Sequence, residues 1–166
     1  MNITILGATG MAGAAIAQEA TRRGHHVTAV SRNPQETNDP HTTVTRLDLT
    51  DLEAPLQPVL NDADAVVLAV RMAPGDESSV APLTSHVLDH AAVAGVRVLV
   101  VGGAAPLRSP HDRELRVLDD PTFVPPQWRD VASASLDQFN ACTEHPNQNW
   151  IYLSPSAVFE PGQGTG

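Results

Sequence analysis

Apolar residues in this chain come mainly as short continuous runs, each closed by glycine, serine or a polar loop. Ile3–Leu6, Val27–Val30, Ala65–Val70, Val96–Val101 and Trp150–Leu153 are the clearest. Unbroken apolar runs of this length predict strands buried on both faces, the habit of a parallel sheet. A polar lead-in starts the second strand at His25, and Val44–Asp48 reads as a short third strand between the second and Ala65. The intervening stretches have helical character. Ala14–Arg23 is alanine-rich and closed by Gly24, and 80–94 carries Pro82 in its first turn and Gly95 at its end. Thr50-x-x-Glu53 has capping-box spacing and predicts another helix start, with Pro58 limiting its length. A further helix is expected over 131–142.

Strand and helix therefore alternate along all 166 residues, without internal repeats or an evident boundary. That pattern predicts a single α/β domain spanning 1–166, a three-layer α/β/α arrangement around a doubly wound parallel sheet. The expected strand order is 3-2-1-4-5-6 with right-handed crossovers. Residues 104–130 break the rhythm. This proline-rich, charged excursion predicts a lid or binding loop.

The first turn, Gly7-Ala8-Thr9-Gly10-Met11-Ala12-Gly13, carries the strongest chemical signal. A buried strand feeding a glycine turn and then a helix is a recurrent cradle for a pyrophosphate. First-turn N–H groups bear partial positive charge, and glycine lets an anion approach the backbone. The glycines stand three apart, so the strand before and the helix after decide the reading, not the spacing alone. Pyrophosphate binding here is ruled out if the Thr9 and Gly10 amides are both turned from solvent and already bonded to protein atoms; Thr9, Gly10 and Met11 are the expected donors, with Gly7 and Gly13 shaping the turn.

In such a sheet the ligand crosses the carboxyl ends of the strands. After the second strand comes Ser31-Arg32, where an acid would favour an unphosphorylated ribose. A guanidinium instead grips a 2′-phosphate, a contact worth about 1.5–3 kcal/mol. NADP(H) is thus favoured over NAD(H), the alternative being Arg32 as a solvated loop residue. Asp48 is a candidate acceptor for the adenine amino group with Leu49 against the ring; it reads equally well as a turn acid. Ala69, Val70 and Arg71 would line the ribose and pyrophosphate passage. Gly102 and Gly103 would admit the nicotinamide, and Ser154-Pro155-Ser156 would close its far side. Ser154 and Ser156 are candidate proton relays, though comfortable as plain turn residues.

Composition narrows the chemistry. The formal charge is −9, which argues against a nucleic-acid partner. One cysteine, Cys142, excludes an internal disulfide and suits a reducing cytoplasm. No apolar stretch reaches membrane-spanning length. His86 and His90 stand four apart, but without further ligands a helix face explains them better than a metal. His111, within the excursion, is a candidate substrate contact by position alone. A homodimer is compatible with the class.

Gly7–Gly13, Ser31-Arg32-Asn33-Pro34, Asp48-Leu49-Thr50-Asp51, Val100–Ala104 and Leu153–Ser156 together resemble the NAD(P)H-binding atypical short-chain dehydrogenase/reductases. Their nearest likeness is to the NmrA-like group and the biliverdin-IXβ (flavin) reductases. The resemblance spans nearly the whole chain and implies a Rossmann fold with bound NADP(H). Members of that family usually continue past a segment like Pro161–Gly166 into another strand and a helix; this sequence stops there, so the resemblance leaves part of the substrate side either absent or supplied otherwise. One departure is decisive: all ten basic residues are arginine, so the family's Tyr-x-x-x-Lys dyad has no lysine. The only tyrosine, Tyr152, falls in the sixth strand, and the dyad's expected place holds Ala132–Ser135. A positioned acid is commonly worth about 10²–10⁴-fold. What survives is hydride transfer to an acceptor needing little protonation, such as a flavin or quinone. The alternative is an NmrA-like redox sensor that binds NADP(H) without turnover.

Overall fold

The computed structural model describes residues 1–162; Gln163–Gly166, the end of the aperiodic terminal segment, lie outside the described residues. Six parallel strands form one sheet: β1 (Asn2–Leu6), β2 (His26–Ser31), β3 (Thr42–Arg46), β4 (Ala65–Leu68), β5 (Arg97–Val101) and β6 (Trp150–Leu153). Their order is β3-β2-β1-β4-β5-β6, the expected Rossmann-like topology. The helices are α1 (Met11–Arg22), the single turn α2 (Gln57–Leu60), α3 (Val80–Ala94) and α4 (Arg129–Glu144).

Two apolar layers sandwich the sheet. On one face, Ala20 of α1, with Ile16 and Ala17 beside it, packs on Ile5, Val27 and Val67. On the other, Leu83, Val87, Leu88 and Ala91 of α3 and Cys142 of α4 cover Leu6, Val66, Leu68, Val98 and Val100. Alternate residues of each strand supply alternate faces. Cys142 is a core residue whose thiol burial pushes up to about 11, so it packs as a small hydrophobe.

Several boundaries move. No helix starts at Thr50. Both the N–H and the hydroxyl of Thr50 donate to Asp48 Oδ1 (3.0 and 2.7 Å), and the Glu53 N–H donates to Asp51 Oδ1 (3.1 Å). Side chains that bond the local backbone this way favour turns over helix. The helix is postponed to Gln57, where Pro58 can occupy its first turn. β3 lies two residues earlier than expected, so Leu47 and Asp48 follow it, and β4 ends at Leu68.

The 104–130 excursion is folded on itself around one buried acid. Asp120 Oδ2 accepts from the Ser109 hydroxyl at 2.6 Å, and Oδ1 accepts from the Thr122 amide at 2.9 Å. His111 Nδ1 lies 3.4 Å from the same carboxylate, and its ring stacks on Phe123. The His111 ring is held within the excursion's own packing while its side chain stays 60% exposed. His86 and His90 meet edge to face, and His90 Nδ1 lies 3.0 Å from the Gln57 side-chain oxygen. They are half-buried between α3 and α2, not on a freely solvated face.

The Ser109 hydroxyl and then the Thr122 amide hold the Asp120 carboxyl down to about 2. A depressed carboxyl stabilises the fold above its unfolded value, about 3.9, and loses that contribution as pH falls toward its folded value. The melting-temperature gap between wild type and Asp120→Asn should therefore be widest above about pH 4 and narrow toward pH 2; thermal unfolding across that range measures it.

Candidate functional site

The loops after β1 to β6 all open at the carboxyl end of the sheet, so every residue proposed from the sequence lies along one rim. Its centre is the turn from β1 into α1. Gly7 has φ +92°, and a Cβ there would stand 2.4 Å from the Ala69 carbonyl oxygen. A Cβ on Gly13 would stand 2.2 Å from the Gly7 oxygen. These two glycines are required by the protein's own backbone, because the first turn of α1 lies against the end of β1. Gly10 is the least crowded of the three, with its nearest neighbour at 3.3 Å.

The amides divide into two sets. Gly7 and Ala8 both donate to the Val30 carbonyl at 3.0 Å, tying the turn to β2. Gly10 donates to the Gly7 carbonyl at 3.0 Å. This corrects the expectation that Gly10 is a free donor, since the bend turns its N–H inward. Among the described residues, the amides of Thr9, Met11 and Ala12 have no protein acceptor. Thr9 and Met11 are exposed, no side chain caps the helix and its first turn holds no acid. Free N–H groups at the positive end of a 12-residue helix form a ready anion site.

At the end of β2, Ser31 is only 6% exposed, yet its hydroxyl has no partner. It alternates with Val27 and Ala29, which pack on the α1 face, so it shares that face. Arg32 is exposed and lacks an ion pair among the described residues, whereas Arg22, Arg23 and Arg129 each hold a carboxylate within 4.0 Å. Hydrogen bonds from Thr50 chiefly lower the Asp48 carboxyl from its usual range, and the Arg32 charge adds to this. Asp48 thus serves its own turn, with Oδ1 already used. Leu49 is 8% exposed and belongs to the core with Leu56 and Leu60, so it is not free to lie against an adenine ring.

Beyond β4, Ala69 and Val70 are half-buried and Arg71 is exposed. The Arg71 guanidinium lies 5.8 Å from the ring centroid of Trp128, a half-exposed residue just before α4. This cation–π pair joins the β4 loop to the end of the excursion. Nothing in sequence spacing links two residues so far apart.

At β5, the sequence expectation needs correcting. A Cβ on Gly102 would strike the Tyr152 ring at 1.9 Å, and one on Gly103 would meet the Ser135 hydroxyl at 2.8 Å. Here the missing side chains make room for the protein itself, not for a flat ligand. Tyr152 donates to the Ser135 carbonyl at 2.8 Å and accepts from the Gly103 amide at 3.3 Å. Burial pushes its phenol up to about 12. After β6, Ser154 and Pro155 are half-buried. The Ser156 hydroxyl donates to the Val158 carbonyl at 2.6 Å and is spent inside its own turn, whereas the Ser154 side chain makes no hydrogen bond among the described residues.

A family model described as NAD(P)H-binding matches residues 7–166, from the first glycine of the turn onward. This chain belongs to the NAD(P)H-binding family. The uncharacterized protein YwnB of Bacillus subtilis (strain 168) is 34% identical over 174 residues, spanning 100% of this chain and 77% of that protein. Among solved structures, a “putative NADH-flavin reductase” from Streptococcus pneumoniae TIGR4 superposes with a TM-score of 0.87 at 30% identity, covering 99% of this chain and 77% of its own. A “Putative exported protein” from Burkholderia pseudomallei gives a TM-score of 0.80 at 34% identity, covering 98% and 76%.

The residues present fit the family's coenzyme. The free α1 amides suit a pyrophosphate, and the orphaned Ser31 hydroxyl and unpaired Arg32 suit an adenosine ribose with its substituents. Two substitutions separate scaffold from site. Gly13→Ala should cost about 1–3 kcal/mol by overpacking against Gly7, read as a lowered unfolding midpoint in urea. Tyr152→Phe should cost about 1–3 kcal/mol by leaving the Gly103 amide without its acceptor and removing the hydroxyl's bond to α4, without removing coenzyme binding in a fluorescence titration.

Proposed function

We propose that this family member is an NADPH-dependent reductase passing hydride to a small flat acceptor of the flavin or quinone type. The observation that carries it is that the Tyr/Lys acid of the class is missing. The chain has no lysine, and its only tyrosine hydroxyl is bonded to Ser135 and Gly103 and held up to about 12. Carbonyl reduction, which gains about 10²–10⁴-fold from a positioned acid, is therefore disfavoured. An acceptor whose reduced form takes its proton from water needs orientation only.

When bound, the reduced nicotinamide supplies the hydride. The chain's own residues then bind and orient. Thr9, Met11 and Ala12 amides hold the pyrophosphate, and Ser31 with Arg32 selects the ribose phosphate. Trp128, braced by Arg71, offers an aromatic wall to a flat acceptor, and Ser154 keeps a hydroxyl available to steer it. The “putative NADH-flavin reductase” neighbour supports the flavin class, while its name specifies NADH. The preference for the phosphorylated coenzyme rests on Arg32 in this chain.

Arg32→Ala should weaken NADPH binding about 10- to 100-fold and leave NADH within about twofold, measured by coenzyme fluorescence titration. Equal losses for both would refute the assigned role. NADPH oxidation followed with FMN, FAD, riboflavin and menadione should show turnover with at least one. Tight NADPH binding without turnover on any would favour the redox-sensor reading instead.

A further inference from the structure

A second arginine stands at the same corner of the sheet. β3 pairs with β2 in parallel so that Arg46 is the direct register partner of Ser31. Register partners on adjacent strands point to the same face and sit about 4.8 Å apart. Thr42, Val44 and Arg46 therefore share the face of Val27, Ala29 and Ser31, the face on which α1 packs. Arg46 is exposed and, like Arg32, makes no ion pair with a carboxylate among the described residues.

Three observations converge there. Two arginines stand at neighbouring strand ends in a chain of net charge −9, and among the described residues neither is within 4.0 Å of a carboxylate. Asp48, whose carboxyl feels the Arg32 charge, turns Oδ1 to Thr50. Beside them the Ser31 hydroxyl is more than nine-tenths buried and has no partner. A buried hydroxyl costs free energy unless something bonds it, and cations at neighbouring strand ends favour an anion between them. A phosphate monoester answers both requirements: it is close to a dianion, and its three free oxygens accept from two guanidinium forks and one hydroxyl.

We propose that Arg46 is a specificity-determining residue for the coenzyme, closing with Arg32 and Ser31 a subsite for the phosphate monoester on the adenosine ribose. The proposal rests on the coenzyme preference argued above, and it adds a determinant from β3 that the Ser31-Arg32 motif does not contain. Arg46 grips from the β3 side, so a phosphate gripped by Arg32 alone would be left half-coordinated.

The test uses the full chain and four probes: NADPH, NADH, 2′,5′-ADP and 5′-AMP. Arg46→Gln should weaken NADPH and 2′,5′-ADP about 10-fold, and leave NADH and 5′-AMP within about twofold. Arg46→Lys keeps the charge without the fork and should lie between wild type and Arg46→Gln. It also serves should Arg46→Gln lower the melting temperature. Equal losses for phosphorylated and unphosphorylated probes, or no loss, overturn the proposal. Displacement of NADPH by inorganic phosphate alone, as effectively as by 2′,5′-ADP, overturns it too, because the subsite would then recognise a free anion. Should Arg32→Ala discriminate between the coenzymes while Arg46→Gln does not, only the role of Arg46 falls. Should neither discriminate, the coenzyme preference itself falls.

Discussion

The close approach of the first turn of α1 to the end of β1 governs the rest of the molecule. Gly13 sits on the Gly7 carbonyl with no space for a Cβ, and Gly7 sits as tightly on Ala69. The Gly7 and Ala8 amides share the Val30 carbonyl, so β1, β2, β4 and α1 meet at one point. That contact aims the helix axis, and with it the partial charge of the free amides, across the carboxyl ends of the strands. A bulkier residue in either place would move the helix away from the sheet and the anion site with it.

Around this point, structural and chemical duties are divided more sharply than the motifs suggest. Gly7, Gly13, Gly102 and Gly103 each make room for other protein atoms. Asp48 and Ser156 spend oxygens on their own turns. The groups left uncommitted are fewer: the amides of Thr9, Met11 and Ala12, the Ser31 and Ser154 hydroxyls, and the arginine after β2, with Trp128 half-exposed beside Arg71. A site of this kind binds and orients a coenzyme and carries little acid–base machinery. That matches a chain without lysine whose one phenol is locked to α4.

Much of this was legible beforehand. The fold followed from unbroken apolar runs, and the helices over 80–94 and at the first turn from their proline and glycine punctuation. Errors fell where local signals compete. Thr50-x-x-Glu53 has the residues of a capping box, but Asp48 and Asp51 capture the same donors into turns, and Pro58 delays the helix. Leu49, placed against an adenine ring by its position after the third strand, is claimed by the core. Gly102-Gly103 has the composition of a ligand approach, and only the path of β6 reveals that Tyr152 fills the space.

The sequence by itself determined the alternation of strand and helix, the glycine turn that joins the first two, and the arginine after β2. Each is written in spacing over a few residues, where backbone sterics and hydrogen-bond geometry act locally. Tertiary structure decided which groups remain free. Whether the Gly10 amide, the Tyr152 hydroxyl or the Asp48 carboxylate is available depends on partners in the same turn or far along the chain, and the sequence order does not carry those distances. Placing Arg46 beside Ser31 is the same kind of fact, since strand register is settled by side-chain packing across the sheet and not by either segment alone.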